Sequence, residues 1–177
     1  MQSFRKSLLD TLPALRAFAR FLTRNASQAD DLVQETVMRA LTAHDQFIEG
    51  TSIKAWLFTI ARNLFYETRR RHRRESEVME DFSAQAALNG DDGQAPLTDT
   101  RARVHELERE IWKLPPPLRE ALILVGAQEM TYEEAAAVCG VPVGTVKARV
   151  SRARSHLGRQ LSSDEAADAG TDGGGEA

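Results

Sequence analysis

Residues 140–157 read GVPVGTVKARVSRARSHL, and this stretch decides the fold because it joins a glycine turn to a two-faced helix. Val146, Val150, Ala153 and Leu157 are spaced i, i+4, i+7 and i+11, so they share one helix face. The remaining positions carry four Lys/Arg and no carboxylate, although the chain of 177 residues has a formal net charge of −3. The pattern predicts a helix with a packed back and a front suited to a polyanion.

A second, shorter helix precedes the basic one. Thr131 and Glu134 have the spacing of a capping box, and Gly140 can adopt the positive φ of a tight helix exit. Pro142 suits the entry to the next helix. Two helices joined by so short a turn are a helix-turn-helix, whose second helix can lie in the major groove of DNA. A basic helix face can also be plain solvated surface, but the glycine turn and the missing acids favour DNA binding.

Helical periodicity also marks the first part of the chain, and no strand pattern appears. The clearest amphipathic stripe follows Ser52 and comprises Ile53, Trp56, Leu57, Ile60, Ala61, Leu64 and Phe65. Two helices before it have similar stripes, and Ser27 with Asp30 resembles a capping box at the start of the second. Three such helices can bury their stripes against one another. We therefore predict an all-α fold in which residues 1–74 form one small domain.

The rest of the chain divides by composition. Residues 75–101 are rich in Asp and Glu, contain Gly, Pro and Asn, and have few large apolar residues, which predicts a flexible acidic linker. Residues 102–161 regain helical periodicity and end in the helix-turn-helix. Residues 162–177 are glycine-rich and acidic, so we expect a disordered tail.

A second basic patch lies between residues 54 and 74, where seven Lys/Arg face one acid, Glu67. Aromatic residues are interleaved with these cations, and aromatics beside arginines can stack on unpaired bases. Trp56 and Phe65 fall on the apolar stripe and are expected in the core, whereas Phe58 and Tyr66 lie nearer the polar side. Asn63 could bond a base edge through its amide or could be an ordinary surface residue.

Other classes of function have little support in the sequence. The single cysteine, Cys139, excludes an intramolecular disulfide, and no apolar run is long enough to span a bilayer. The four histidines lack metal-ligand spacing, and no phosphate loop or nucleophile–base arrangement appears. We expect a cytoplasmic protein that is not an enzyme, with no cofactor, no metal and no membrane association.

Three segments, in this order, resemble the extracytoplasmic-function sigma factors of bacterial RNA polymerase, group 4 of the sigma-70 family. ADDLVQETVMRAL (residues 29–41) resembles the region-two helix that docks on polymerase. IKAWLFTIARNLFYETRRR (residues 53–71) resembles the element that opens and reads the −10 element. LPPPLREALILVGAQEMTYEEAAAVCGVPVGTVKARVSRARSHL (residues 114–157) resembles region four, which binds the −35 element. Phrases such as REALILVGA and YEEAAAVCG are similar to the general-stress-response branch.

The resemblance implies roles for particular residues, domains and partners. Residues 1–74 would be region 2, and residues 102–161 would be region 4. The −35 contacts would be Thr145, Lys147, Arg149, Ser151, Arg152 and Arg154. The −10 contacts would be Lys54, Phe58, Arg62, Asn63, Tyr66, Arg69, Arg70 and Arg71, beside a base-accepting loop at about residues 47–53. The polymerase contacts would be Asp31, Gln34, Glu35 and Arg39.

The implied partners are promoter DNA, an anti-sigma factor and the polymerase core, through the clamp of its largest subunit and the flap of its second. Two other functions stay open at this point. A stand-alone helix-turn-helix regulator would bind duplex DNA without polymerase, usually as a dimer. A sigma-like decoy would bind only an anti-sigma factor and would not need five unopposed cations between residues 147 and 159.

Overall fold

The computed structural model describes residues 2–78 and 99–169. Seven α-helices lie in these ranges: α1 (Gln2–Thr23), α2 (Ala26–Thr42), α3 (Ile53–Val78), α4 (Asp99–Lys113), α5 (Pro116–Leu122), α6 (Tyr132–Cys139) and α7 (Val143–Ala169). A short 3₁₀ turn at His44–Gln46 and a π segment at Ile123–Ala127 complete the regular structure of the described ranges. The predicted all-α fold is confirmed there.

The chain forms two compact units. The first contains α1, α2 and α3, and the second contains α4, α5, α7 and most of α6. In the first unit the three helices pack on one another. One centre of its core is Leu8 of α1, Ala40 of α2 and Leu57 of α3, all buried. The apolar stripes predicted from periodicity therefore meet as expected.

A second centre of this core is an aromatic stack between α1 and α3. The rings of Phe18 and Phe58 lie 4.4 Å apart between centroids and are nearly parallel, at 5°. Both side chains are 0% exposed. The prediction that Phe58 lies nearer the polar side of α3 is wrong. Because α3 packs against α1 as well as α2, its buried arc is wider than the single stripe that a spacing rule marks.

The entry to α2 differs from the prediction. Asn25, not Ser27, is the N-cap, and its side-chain oxygen accepts a hydrogen bond from the Gln28 N–H at 2.9 Å. Arg24 just before it has φ of 54°, so the chain reverses sharply between α1 and α2. At the entry to α3, Ser52 Oγ accepts a bond from the Ala55 N–H at 3.1 Å.

In the second unit, α7 packs on α4 and α5. Its buried face includes Val146 and Val150, at 0% and 1% exposed, and Ala153 and Leu157 pack with Leu114. The inward face predicted for this helix is confirmed. Partly buried apolar residues from α4 and α5 surround that cluster: Ile111, Leu118 and Leu122.

The helices run further than the predicted domain boundaries. α3 continues to Val78, α4 begins at Asp99, and α7 continues to Ala169 although disorder was expected from residue 162. Once packing has nucleated a helix, each added residue gains one backbone hydrogen bond for the single residue that it fixes, so polar residues can extend the helix. The rest of the predicted linker and tail, residues 79–98 and 170–177, lies outside the described residues. No helix within the described ranges has both the length and the apolar character needed to cross a bilayer.

The aromatic stack yields a prediction about stability. Phe58→Ala should lower the free energy of unfolding by about 3 to 5 kcal/mol, because it removes a fully buried ring and leaves a cavity. Urea unfolding followed by circular dichroism measures this change. Asn63→Ala, an exposed site one turn further along α3, is the control and should change stability by less than about 0.5 kcal/mol. Equal stability of the two variants would contradict the structure of this core.

Candidate nucleic-acid and protein interfaces

The turn between α6 and α7 positions the basic helix. The capping box predicted at the start of α6 is confirmed: Glu134 N–H donates to Thr131 Oγ1 at 3.1 Å, and Thr131 N–H donates to Glu134 Oε2 at 2.9 Å. α6 ends before Gly140, whose φ is +66°. The carbonyl of Pro142 then accepts bonds from the N–H groups of Thr145 and Val146, at 3.0 and 3.3 Å. These bonds fix where α7 begins.

The six predicted −35 residues of α7 form two rows on either side of its solvent face. One row, here the Arg152 row, contains Thr145, Arg149 and Arg152 at i, i+4 and i+7. The other, the Lys147 row, contains Lys147, Ser151 and Arg154 at the same spacing. Thr145 and Arg149 are half-buried, and the other four are exposed. The small residues Gly144, Ala148 and Ser155 lie between the rows and would let a surface approach the helix closely.

Lys147 is held by a residue that the sequence analysis did not select. Its ammonium group lies 5.6 Å from the centroid of the Tyr132 ring, within the range of a cation–π contact. Tyr132 is the first residue of α6 and is half-buried. The contact joins the two helices of the motif across the turn. No spacing rule finds it, because it depends on how the two helices cross.

Five of the eight predicted −10 residues lie on two adjacent stripes of α3. Arg62, Tyr66 and Arg69 share one stripe, and the guanidinium of Arg62 lies 4.7 Å from the centroid of the Tyr66 ring. Asn63 and Arg70 are exposed and occupy the next stripe, at i and i+7. Lys54 is half-buried, with its ammonium 5.7 Å from the buried Phe58 ring. Phe58 itself is therefore a support for this surface and not a contact.

The loop before α3 is anchored by an aromatic cluster. Ring centroids of Phe47 and Trp56 lie 5.4 Å apart, and Phe4 of α1 lies 5.7 Å from Phe47 and 6.0 Å from Trp56. Gly50, with φ of +86°, allows the loop to turn back to α3. Ile48 lies in this loop and is 71% exposed. The loop is thus fixed at its base and open at its apex.

The predicted polymerase residues of α2 lie on its solvent side. Asp31, Gln34, Glu35 and Arg39 are all exposed. Two apolar residues of the same side were not predicted: Met38, at 64% exposed, and Leu41, at 44%. Large apolar side chains beside polar ones on an exposed helix face are typical of a protein-binding surface.

A groove of about 590 Å³ lies between α2 and α3. Asp31, Glu35 and Arg39 line its α2 side, and Arg69 and Arg71 line its α3 side. The Arg39 guanidinium pairs with Glu35 at 3.1 Å and with Glu67 of α3 at 3.5 Å. The structure thus brings two sets of predicted residues, one for polymerase and one for DNA, to a shared groove.

The described residues contain no group of three or more His, Cys, Asp or Glu side chains arranged to hold a metal ion. Cys139 is buried and is not part of a disulfide. The surfaces described above offer positive charge, aromatic faces and apolar contact area. Those are means of binding nucleic acid and protein.

Comparison with known protein families gives two matches in one chain. The model of sigma-70 region 2 matches residues 8–75, and the model of sigma-70 region 4 matches residues 105–157. The first match covers α2 and α3, which border the groove, and the two stripes of predicted −10 residues on α3. The second covers the helix-turn-helix.

Individual relatives agree with these matches. The chain is 49% identical to the extracytoplasmic-function sigma factor EcfG of Rhodopseudomonas palustris over 170 residues, 96% of this chain and 91% of that protein. It is 35% identical to the sigma factor SigC of Mycobacterium tuberculosis over 140 residues, 79% of this chain and 73% of that one. Among solved structures it resembles the sigma factor RpoE of Bartonella quintana, determined in complex with the anti-sigma factor NepR. That match has a TM-score of 0.70 and 41% identity, covering 92% of this chain and 98% of the other.

The turn of the helix-turn-helix yields a second prediction. A Cβ added at Gly140 or at Gly144 would meet no atom within 4 Å, so sterics do not distinguish these sites. Only Gly140 has positive φ. Gly140→Ala should therefore lower the free energy of unfolding by about 1 kcal/mol, through backbone strain alone.

Two matched variants test that reason. Gly144→Ala, inside α7, should raise stability by about 0.5 kcal/mol, because alanine suits a helix better than glycine. Gly140→Asn should be less harmful than Gly140→Ala, since asparagine tolerates the left-handed region. Urea unfolding of the three variants gives the order. An equal loss at both glycines would show that φ is not the cause.

Proposed function

The chain belongs to the extracytoplasmic-function family of sigma-70 factors, and from this membership we propose how its residues divide the task of promoter recognition. As a sigma factor it is a specificity subunit of RNA polymerase and not an enzyme. The observation that carries the proposal is the pair of two-faced helices, α3 and α7, one in each unit. Each buries an apolar back and presents a cationic front.

The α7 helix is assigned to the duplex −35 element. Lys and Arg can bond guanine edges and phosphates, while Ser and Thr can bond either. The exposed guanidinium groups of Arg152 and Arg154 lie on opposite rows, so they would reach different walls or base pairs of one major groove. The small residues between the rows favour close approach. Arg149 and Thr145, being half-buried, would contribute near the edge of the contact.

The α3 helix is assigned to the −10 element as its strands separate. The Arg62–Tyr66 pair offers a stacked cation and ring to an unpaired base, and the exposed Asn63 offers a donor and an acceptor to a base edge. The open loop around Ile48 lies at the start of this helix and would receive an extruded base. Unstacking a base costs a few kcal/mol, so such a pocket selects those bases whose binding in it offsets that cost. Arg69, Arg70 and Lys54 would hold phosphates.

The exposed side of α2 is assigned to the polymerase core. Asp31, Gln34 and Glu35 supply polar contacts, and Met38 and Leu41 supply the apolar centre that a stable interface needs. Arg39 is tied to both α2 and α3 by its two ion pairs, so it would fix the groove beside the contact rather than bind polymerase alone. We place this docking on the clamp of the largest subunit, with the second unit near the flap of the second-largest subunit.

An anti-sigma factor is proposed as the regulator. The relative from Bartonella quintana was solved with one, and it matches nearly the whole length of this chain. Membership of the general-stress-response branch is proposed from the 49% identity to EcfG. Because polymerase works in the cytoplasm of bacteria, the proposed location is cytoplasmic.

Docking on polymerase can be tested at Met38. Met38→Asp should weaken binding to purified core polymerase by about tenfold or more, because it places an unpaired charge in an apolar contact. Leu9→Asp is the matched control, since Leu9 is 61% exposed, close to the 64% of Met38, but lies on α1. Titration of core polymerase with a fluorescently labelled chain gives both affinities. Equal loss at both sites, or none at Met38, would reject the assignment of α2.

The two DNA assignments can be tested in one experiment. Core polymerase and the full chain transcribe a library of promoters with randomised upstream sequence, and the RNA products identify the active templates. The wild type should select two blocks of sequence. Arg152→Ala should relax the upstream block, since a bidentate arginine–guanine contact is worth about 1–3 kcal/mol. Asn63→Ala should relax the downstream block.

The control for this experiment is core binding, which both variants should retain at the wild-type level because neither residue lies on the exposed side of α2. Failure of the wild type to start RNA at any defined position would reject the proposed function. Relaxation of the downstream block by Arg152→Ala would reject the division of labour between the two helices.

A further inference from the structure

We propose that Tyr132 is a positioning residue for Lys147, and thereby helps set the −35 preference of the basic helix. This inference rests on the proposed function of α7. The observation behind it is the contact between the two side chains: the Lys147 ammonium lies 5.6 Å from the Tyr132 ring centroid. Lys147 is exposed and is the first residue of its row along the chain, and Tyr132 is half-buried at the first position of α6.

The backbone that carries the Tyr132 ring is held by hydrogen bonds at the start of α6. Tyr132 follows Thr131, whose hydroxyl and N–H both take part in the reciprocal bonds of the capping box with Glu134. The bonds between Thr131 and Glu134 therefore restrain the backbone before and after Tyr132. A half-buried ring on a capped helix end has few alternative positions, so it offers Lys147 a fixed surface.

A ring orients a cation in a way that an acid could not. A carboxylate at this place would neutralise the charge of Lys147 and would occupy its N–H donors. An aromatic face attracts the ammonium through its quadrupole, takes no conventional hydrogen bond from it, and leaves its charge in place. Lys147 would thus reach DNA with its stem ordered, its charge in place, and the N–H donors that point away from the ring available to bases or phosphates.

The consequence is a selective effect on one row of α7. A free lysine has a flexible four-carbon stem and acts as a mobile point charge, which binds DNA with little preference for sequence. Restraint by Tyr132 confines the ammonium to the edge of the Lys147 row. The Arg152 row lies on the other side of α7 and should not depend on Tyr132.

The test is a double-mutant cycle on the holoenzyme, formed from the full chain and core polymerase. The probe is a labelled promoter duplex recovered from the randomised library by the wild type. Tyr132→Leu keeps an apolar side chain but removes the ring, and Tyr132→Phe keeps the ring but removes the hydroxyl. Tyr132→Leu should weaken promoter affinity about two- to fivefold, as expected for an exposed cation–π pair, and Tyr132→Phe should have little effect.

The decisive comparison uses Lys147→Ala. In that background Tyr132→Leu should have no further effect, whereas in an Arg152→Ala background it should keep its full effect. An equal loss with and without Lys147 would overturn the inference, and so would a Tyr132→Phe variant as weak as Tyr132→Leu, which would point to a hydroxyl–phosphate contact. If Lys147→Ala alone binds like the wild type, the −35 role proposed for Lys147 is wrong and the inference falls with it. Thermal unfolding checks each variant, and Tyr132→Met replaces Tyr132→Leu if the latter does not fold.

Discussion

The stack of Phe18 on Phe58 constrains the first unit more than any other single contact in its described residues. Two parallel rings 4.4 Å apart, both fully buried, fix the rotation of α3 about its own axis. Because side chains leave a helix at set angles, that rotation decides which residues reach solvent. Asn63 and Arg70 then face outward, and the Arg62–Tyr66 pair lies beside them. The promoter role proposed for α3 would therefore depend on a buried contact that lies away from its exposed face.

The second unit applies the same constraint with smaller side chains. Val146, Val150 and Ala153 are almost fully buried, and they fix the rotation of α7 as the aromatic stack fixes that of α3. Because these buried residues are small, α7 can pack closely on α4 and α5. The positive φ of Gly140 and the capped start of α6 then set where this helix begins. In the proposed function, recognition would thus depend on the rotation of α3 and of α7 about their own axes.

The cations of these surfaces have two kinds of neighbour. On α3 and α7, the helices proposed to contact DNA, Arg62 and Lys147 lie against aromatic rings, which attract a cation without neutralising it. On the groove between α2 and α3, Arg39 is paired with two carboxylates, one from each helix. The ring beside Lys147 leaves the charge of its ammonium group in place, whereas the ion pairs of Arg39 join α2 to α3.

The sequence by itself determined the helices, the buried stripe of α7, the capping box at Thr131 and the family, because each depends on local spacing or short motifs. Tertiary structure alone decided that Phe58 is buried, since a helix packed against two neighbours hides a wider arc than one stripe. It also decided that Met38 is exposed and that Tyr132 meets Lys147, because both depend on how helices cross. Periodicity shows which face of each helix is apolar, whereas only the packed structure shows how wide an arc of the helix is buried and which neighbouring helices bury it.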